Sequence, residues 1–163
     1  MNSNSVDAVL LGKAEHFPNV MSTFGAEFIE SIVSSTLPKK HALYVALVAS
    51  LHRKDDAWLN YLDHCLAVAT PLLETVANKK TEILSMLRDT DKFYEAFVEI
   101  EWIAKLADKK LGMKIAPCHP EEGPDLEVQA GNARIYVEMT SLNYSELEQK
   151  KQNMWTELQA RIG

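Results

Sequence analysis

Two carboxylates, Asp125 and Glu138, have the spacing that most clearly suggests chemistry. They flank a Gly131-Asn132 pair, in a stretch where apolar and polar residues alternate on both sides. Alternation with a period of two around a Gly-Asn pair predicts a β-hairpin with a two-residue loop. That register places Asp125 directly opposite Glu138. Like charges that face each other destabilise a sheet, and a divalent cation with oxygen ligands would explain why they are kept.

The helix predicted before the hairpin offers a third acid. Its apolar face is centred on the residues Phe93, Phe97, Ile100, Ala104, Ala107 and Leu111. Glu99 and Glu101 lie at about equal angles from this face, on opposite sides of the helix. The periodicity therefore does not distinguish the two glutamates.

Residues after the hairpin could complete the catalytic groups. Thr140 lies on the same strand face as Glu138 and could hydrogen-bond a ligand or a water molecule, but it carries no positive charge. Lys150 and Lys151 lie on a predicted last helix, which could fold back towards the hairpin. A solvated pair of lysines is the competing interpretation.

Other polar residues have no partner at a catalytic or metal-binding spacing. His41, His52 and His64 lie on predicted helices and are expected to be structural or exposed. Lys79 and Lys80 form an isolated pair that is expected to lie on the surface.

The predicted elements change in character at Gly112. Before it, helices separated by short breaks are predicted at 24–36, 39–53, 58–70, 71–88 and 91–111. Gly112 follows the last of these, where helices commonly end. After it, we predict a short strand at 113–116, the hairpin, and a helix that begins at Asn143 or Ser145.

This order of helix, three strands and helix, with these acids, resembles the PD-(D/E)xK nuclease superfamily, which has the restriction-endonuclease-like fold. Gly123–Asp125 matches the PD half of the motif, and Val137–Thr140 matches the (D/E)xK half. Thr140 stands where the family usually has a lysine, and the resemblance implies that Lys150 or Lys151 could supply this charge from the last helix. The stretch 96–112 looks like the first helix of the family, and the resemblance covers residues 91–163.

The resemblance implies an α/β core, α+β overall for the chain. A helical N-terminal half, residues 1–90, would pack on a restriction-endonuclease-like core with a small three-stranded sheet, residues 91–163. The last strand of the family core has no candidate in the sequence. The chain would then be a shortened version of the fold, a fragment, or a subunit that pairs with another subunit or with a second copy.

The resemblance also implies a function, a metal-dependent phosphodiesterase (nuclease) that acts on DNA or RNA. Asp125 and Glu138 would hold Mg²⁺ or Mn²⁺ with help from Glu99 or Glu101, and the ion would polarise a phosphate and activate water. The alternative is a nuclease-like fold that has lost activity and serves as a binding or assembly module. The missing lysine and strand favour that alternative.

Composition and net charge indicate which classes of protein this chain can belong to. The chain has 163 residues, 47% of them hydrophobic and 25% charged, which is typical of a globular protein with one core. The net charge of −6 shows no basic footprint for nucleic acid, although a local basic patch could exist within it. No apolar run predicts a membrane span and no signal peptide is predicted. Two isolated cysteines also fit a reducing compartment, so a cytoplasmic location is expected.

Overall fold

The computed structural model describes residues 3–118 and 123–139, which form a mostly helical structure with one small sheet. The helices in these ranges are α1 (Ser3–Ala14), α2 (Pro18–Phe24), α3 (Ala26–Ser34), α4 (Ala42–Arg53), α5 (Ala57–Leu73), α6 (Ala77–Arg88) and α7 (Phe93–Asp108). The strands are β1 (Gly112–Ile115), β2 (Leu126–Ala130) and β3 (Ala133–Val137). No helix in the described ranges is both long enough and apolar enough to cross a membrane.

Helix α7 packs against both α5 and α6. The spacing of its apolar residues predicts a core face, and this face is buried at Phe93, Phe97, Ile100 and Ala104. Helix α6 lies in the predicted helical region, residues 1–90, and α7 lies in the predicted core, residues 91–163. The two helices pack against each other, and the division into these regions stays a prediction.

The three described strands form one antiparallel sheet in the order β1-β2-β3. The predicted hairpin is confirmed, and its register runs from Ala130 opposite Ala133 to Leu126 opposite Val137. Gly131 has φ +63 at the first central position of the two-residue turn, as a type II′ turn requires. The fold is therefore α+β, with a helical majority and a three-stranded sheet.

The break predicted before Pro71 is wrong. Helix α5 continues through Pro71 and ends at Leu73, and α6 begins separately at Ala77. A proline inside a helix removes one backbone hydrogen bond and crowds the carbonyl of the preceding turn. Here that cost falls near the end of the helix, and Leu73 is only 1% exposed. Burial of the last turn in the core outweighs the local preference of the proline.

The end predicted for α7 is also wrong. The helix stops at Asp108, and Lys110 then adopts the left-handed conformation with φ +55. The N–H of Lys110 donates to the carbonyl of Ala107 at 2.8 Å, and the N–H of Leu111 donates to the carbonyl of Leu106 at 3.2 Å. These two bonds make a Schellman motif. Lys110 therefore occupies the position expected for a glycine, which leaves Gly112 free to begin β1.

The helix predicted at 24–36 is shorter in the structure. Helix α2 ends at Phe24 and α3 begins at Ala26. Gly25, which has φ +77, lies between them. A β-carbon is strained at such a φ value, so the glycine permits the turn between the two helices. Helices α1 and α2 had no individual prediction.

Candidate active site

One lysine and three carboxylates meet where α6, α7 and the start of the hairpin come together. The Nζ atom of Lys79 lies 2.9 Å from Oε2 of Glu99, 3.7 Å from Oδ1 of Asp125 and 3.7 Å from Oε2 of Glu82. We call these four residues the acid–lysine cluster. Only the contact with Glu99 is short enough for a hydrogen bond, and the other two are ion pairs without one.

Packing of the three elements creates this cluster. Lys79 lies in the first turn of α6, Glu99 lies near the middle of α7, and Asp125 immediately precedes β2. Helices α6 and α7 pack on each other, and β1 contacts α7. Leu126, the residue after Asp125, is fully buried and anchors the start of β2 in the core. Residues distant in the sequence thereby reach the same point.

The backbone holds Asp125 from two directions. Its carbonyl accepts a hydrogen bond from the N–H of Ala116 at 2.7 Å, and its Oδ2 atom accepts one from the N–H of Met139 at 2.7 Å. Oδ1 is the oxygen closer to Lys79. The sheet therefore orients this carboxylate. Oδ2 is bonded to the backbone after the end of β3, and Oδ1 faces α6 and α7.

Burial controls the electrostatics of the cluster. Lys79 and Glu99 are each 8% exposed as whole residues. Burial raises the pKa of Glu99, and the hydrogen bond and charge of Lys79 only partly oppose it. Burial alone would lower the pKa of Lys79, but the hydrogen bond and charge of Glu99, together with the charges of Glu82 and Asp125, outweigh it and the pKa of Lys79 is raised. Two charged groups held away from water depend on each other for stabilisation.

The register of the hairpin ends with Leu126 opposite Val137, one pair before Asp125 and Glu138, so their predicted pairing stays a prediction. The hydrogen bond from Met139 to Asp125 agrees with that register. Glu138 itself is exposed. No group of three or more His, Cys, Asp and Glu side chains within the described ranges is arranged to hold a metal ion.

The two helix glutamates have different surroundings. Glu99 belongs to the acid–lysine cluster, whereas Glu101 contacts other partners on α5 and α7. Glu101 accepts a hydrogen bond from the Tyr61 hydroxyl at 2.7 Å and pairs with Lys105 at 2.8 Å. The hydrogen bond from Lys105 lowers the pKa of Glu101, and burial raises the pKa of Tyr61. Of the two candidates, Glu99 is the one that the fold brings to Asp125.

The remaining sequence candidates, Thr140, Lys150 and Lys151, lie outside the described residues. Their roles stay predictions.

Lys79 is the residue that sequence reasoning missed. The isolated Lys79-Lys80 pair predicts a surface position, and this prediction is wrong for Lys79, which is buried. A signal was present in the spacing, because Lys79 lies one helical turn before Ile83 and two turns before Leu87. These three residues share the buried face of α6. Lys80 lies on another side of the helix and pairs with Glu74.

Glu99 and Asp125 offer carboxylate oxygens, the type of ligand that Mg²⁺ and Mn²⁺ prefer. Both carboxylates contact the ammonium of Lys79, which already takes the place of a shared cation. Among the described residues, these acids and Glu138 do not form a group arranged to hold a metal ion.

No protein-family model matches this sequence, and no significant match is found among curated proteins or among solved structures. Any function must therefore be argued from the residues themselves.

Proposed function

We propose that the acid–lysine cluster is the centre of a metal-dependent phosphodiesterase that acts on DNA or RNA, in a core of the PD-(D/E)xK type. One observation carries the proposal. The Nζ atom of Lys79 lies 2.9 Å from Glu99 and 3.7 Å from Asp125, so an acid from a helix, an acid from a hairpin and a lysine meet at one point. Carboxylates that hold a metal ion and a lysine that offsets negative charge can together support hydrolysis of a phosphodiester.

Each residue has a role that follows from its chemistry. Glu99, Asp125 and Glu138 would hold Mg²⁺ or Mn²⁺, which supplies Lewis acidity towards a phosphate oxygen and activates water. Lys79 brings the positive charge that offsets charge developing in the transition state. Thr140 cannot bring that charge. If Lys79 fills this role, neither Lys150 nor Lys151 is needed for it.

Cleavage assays with matched variants test the proposal. Plasmid DNA, single-stranded DNA and RNA are incubated with the full chain and Mn²⁺ or Mg²⁺. We expect cleavage that falls by about a hundredfold or more in Asp125→Asn and Glu99→Gln, since both remove a charge from the reacting centre. Glu101→Gln is the control, because Glu101 bonds to Tyr61 and Lys105 instead. Wild-type protein that cleaves none of these substrates, or variants that cleave like wild type, would contradict it.

A second candidate is a nuclease-like fold without activity that acts as a binding or assembly module. It is favoured by the exposure of Glu138 and by the pairing of Glu99 with a lysine. This candidate predicts that wild-type protein binds nucleic acid or metal without cleavage, and that Thr140→Lys creates activity. A second copy or another subunit as partner stays a prediction, as does a cytoplasmic location.

A further inference from the structure

We infer that the outer edge of β3 binds a second copy of this chain, in an antiparallel strand pair with Tyr136 opposite Tyr136 of the second copy. Strand β3 lies at the end of the order β1-β2-β3, so no strand in the described ranges pairs with its outer edge. An edge strand presents backbone N–H and C=O groups with which another strand can pair. The inference goes beyond the proposed function and does not rest on it.

The hairpin register determines which backbone groups of β3 point outward. The two residues that flank a two-residue loop form a hydrogen-bonded pair, and Ala133 is one of them. Bonded and non-bonded pairs then alternate along an antiparallel ladder. Ile135 and Val137 therefore point their backbone groups towards β2. Arg134 and Tyr136 point theirs towards the outer edge, where a further strand can pair with them.

The side chains of β3 are much more exposed than their neighbours on β2. Ile135 is 49% exposed, whereas Val128, opposite it on β2, is 4% exposed. Tyr136 is 59% exposed, whereas Glu127, opposite it, is 8% exposed. Burial therefore falls sharply from β2 to β3, and a strand beside β3 would cover two large exposed side chains.

Charge complementarity selects a second copy and its register. Arg134 and Glu138 are both exposed, and they lie two residues before and two residues after Tyr136. In a two-fold antiparallel pair centred on Tyr136, Arg134 of each copy lies opposite Glu138 of the other. A pair centred on Arg134 or on Glu138 would place like charges opposite each other, which is destabilising. A pair centred on Ile135 or Val137 would leave neither charge opposite its counterpart.

The same register also pairs apolar side chains. It places Ile135 opposite Val137 of the second copy, and β-branched pairs across strands stabilise a sheet. Both residues share a sheet face with Leu126 and Val128, because paired residues and those two apart in a strand point to the same side. The second copy would therefore extend the apolar face of the sheet.

The pairing is compatible with the role proposed for Glu138. A carboxylate that binds a metal ion commonly also accepts a hydrogen bond from a neighbouring group. Arg134 of the second copy could bond to one oxygen of Glu138 and leave the other oxygen available.

The test measures the mass of the full chain by sedimentation velocity at concentrations up to about 500 µM, because small interfaces form weak dimers. We expect a monomer–dimer equilibrium for wild type. Arg134→Glu and Glu138→Arg each place like charges opposite each other twice per dimer, so each should raise the Kd by about tenfold or more. Both substitutions in one chain restore opposite charges and should restore the wild-type Kd. Arg53→Glu, at an exposed position at the end of α4, is the control and should dimerise like wild type.

A mixture of the two single variants tests the register directly. When an Arg134→Glu chain pairs with a Glu138→Arg chain, both cross-strand contacts again join opposite charges. Equal amounts of the two should therefore dimerise like wild type, although each alone dimerises weakly.

Four results would overturn the inference. They are a wild-type protein that stays monomeric, single variants that dimerise like wild type, a mixture that does not recover the association, and assembly beyond the dimer. The last counts because a two-fold pair occupies the β3 edge of both copies and is closed.

Discussion

The ammonium of Lys79 lies 2.9 Å from the carboxylate of Glu99, and each side chain is only 10% exposed. Exposed ion pairs contribute little to stability because water and salt screen them. A buried pair differs, since removal of one partner leaves the other charge without compensation. Lys79 lies on α6 and Glu99 lies on α7, so the charges of the acid–lysine cluster compensate each other only when these two helices pack together.

The first prediction is a loss of stability when this pair is broken. Lys79→Met should lower the free energy of unfolding by about 3 kcal/mol, because Glu99 is left buried without the cation that compensates its charge. Addition of Glu99→Gln should recover most of that loss, since no uncompensated charge then remains between the helices. Urea unfolding of the single and double variants measures both effects.

Lys80→Met is the matched control for this first prediction. Its partner Glu74 is exposed, so the change should stay within about 0.5 kcal/mol of wild type. A Lys79→Met protein as stable as Lys80→Met would mean that the buried pair contributes nothing.

The local part of the candidate site could be predicted from the sequence. A two-residue loop and the burial of Leu126 and Val128 determine the register of this hairpin, because a slip by one residue would turn these two side chains outward. Asp125 could therefore be placed at the end of the ladder. The partners of Lys79 depend instead on how α6 packs on α7, and neither helix encodes that packing within its own sequence.

The difference between local signals and contacts with distant residues also explains where helices begin and end in this structure. Helix α2 has no side-chain cap from the residue before it. Asp63 of α5 supplies the acceptor, and its Oδ1 atom accepts from the N–H groups of Asn19 and Val20 at 2.7 and 2.9 Å. A cap from a residue so distant in the chain leaves no local signal. Pro71 shows the opposite case, a local signal that the core packing of α5 overrides.

The second prediction concerns the end of α7. Lys110 has φ +55 in the Schellman motif, a conformation that costs a residue with a β-carbon about 1 kcal/mol. Lys110→Gly should therefore raise the free energy of unfolding by about that amount. The neighbouring Lys109 has φ −77, so Lys109→Gly should instead lower it by about 0.5 kcal/mol through the added freedom of the unfolded chain. Thermal and urea unfolding would reveal whether the two substitutions have these opposite signs.

The third prediction concerns the close approach of Gly123 and Cys118. A β-carbon added at Gly123 would lie 2.6 Å from Cβ of Cys118, far inside normal contact. Gly123→Ala should cost about 1–3 kcal/mol of stability, because the backbone next to Asp125 must shift. Cys118→Gly removes the clashing atom, so Gly123→Ala should cost little stability when it is added to Cys118→Gly. The double variant should therefore be about as stable as Cys118→Gly alone. A Gly123→Ala protein with wild-type stability would show that this approach does not constrain the backbone.

The last prediction concerns His41, which is 3% exposed and caps α4. Its Nδ1 atom accepts from the N–H of Leu43 at 3.2 Å, and Nε2 lies 2.9 Å from the carbonyl of Leu87, to which it donates. Both contacts together require the neutral ring. Burial lowers the pKa of His41 from 6.5, although the hydrogen bond to Leu87 acts in the opposite direction.

The sign of the pH dependence follows from that lowered pKa. As the pH falls through about 6.5, His41 takes up a proton in the unfolded chain before it does so in the folded protein, so the unfolded state gains stability. The free energy of unfolding should therefore decrease between about pH 7.5 and 5.5. In His41→Asn, which keeps a capping side chain, this decrease should be smaller. The control is His52→Asn at an exposed position, which should keep the wild-type dependence. Urea unfolding at the two pH values gives the comparison, and an unchanged pH dependence in His41→Asn would reject a neutral, buried His41.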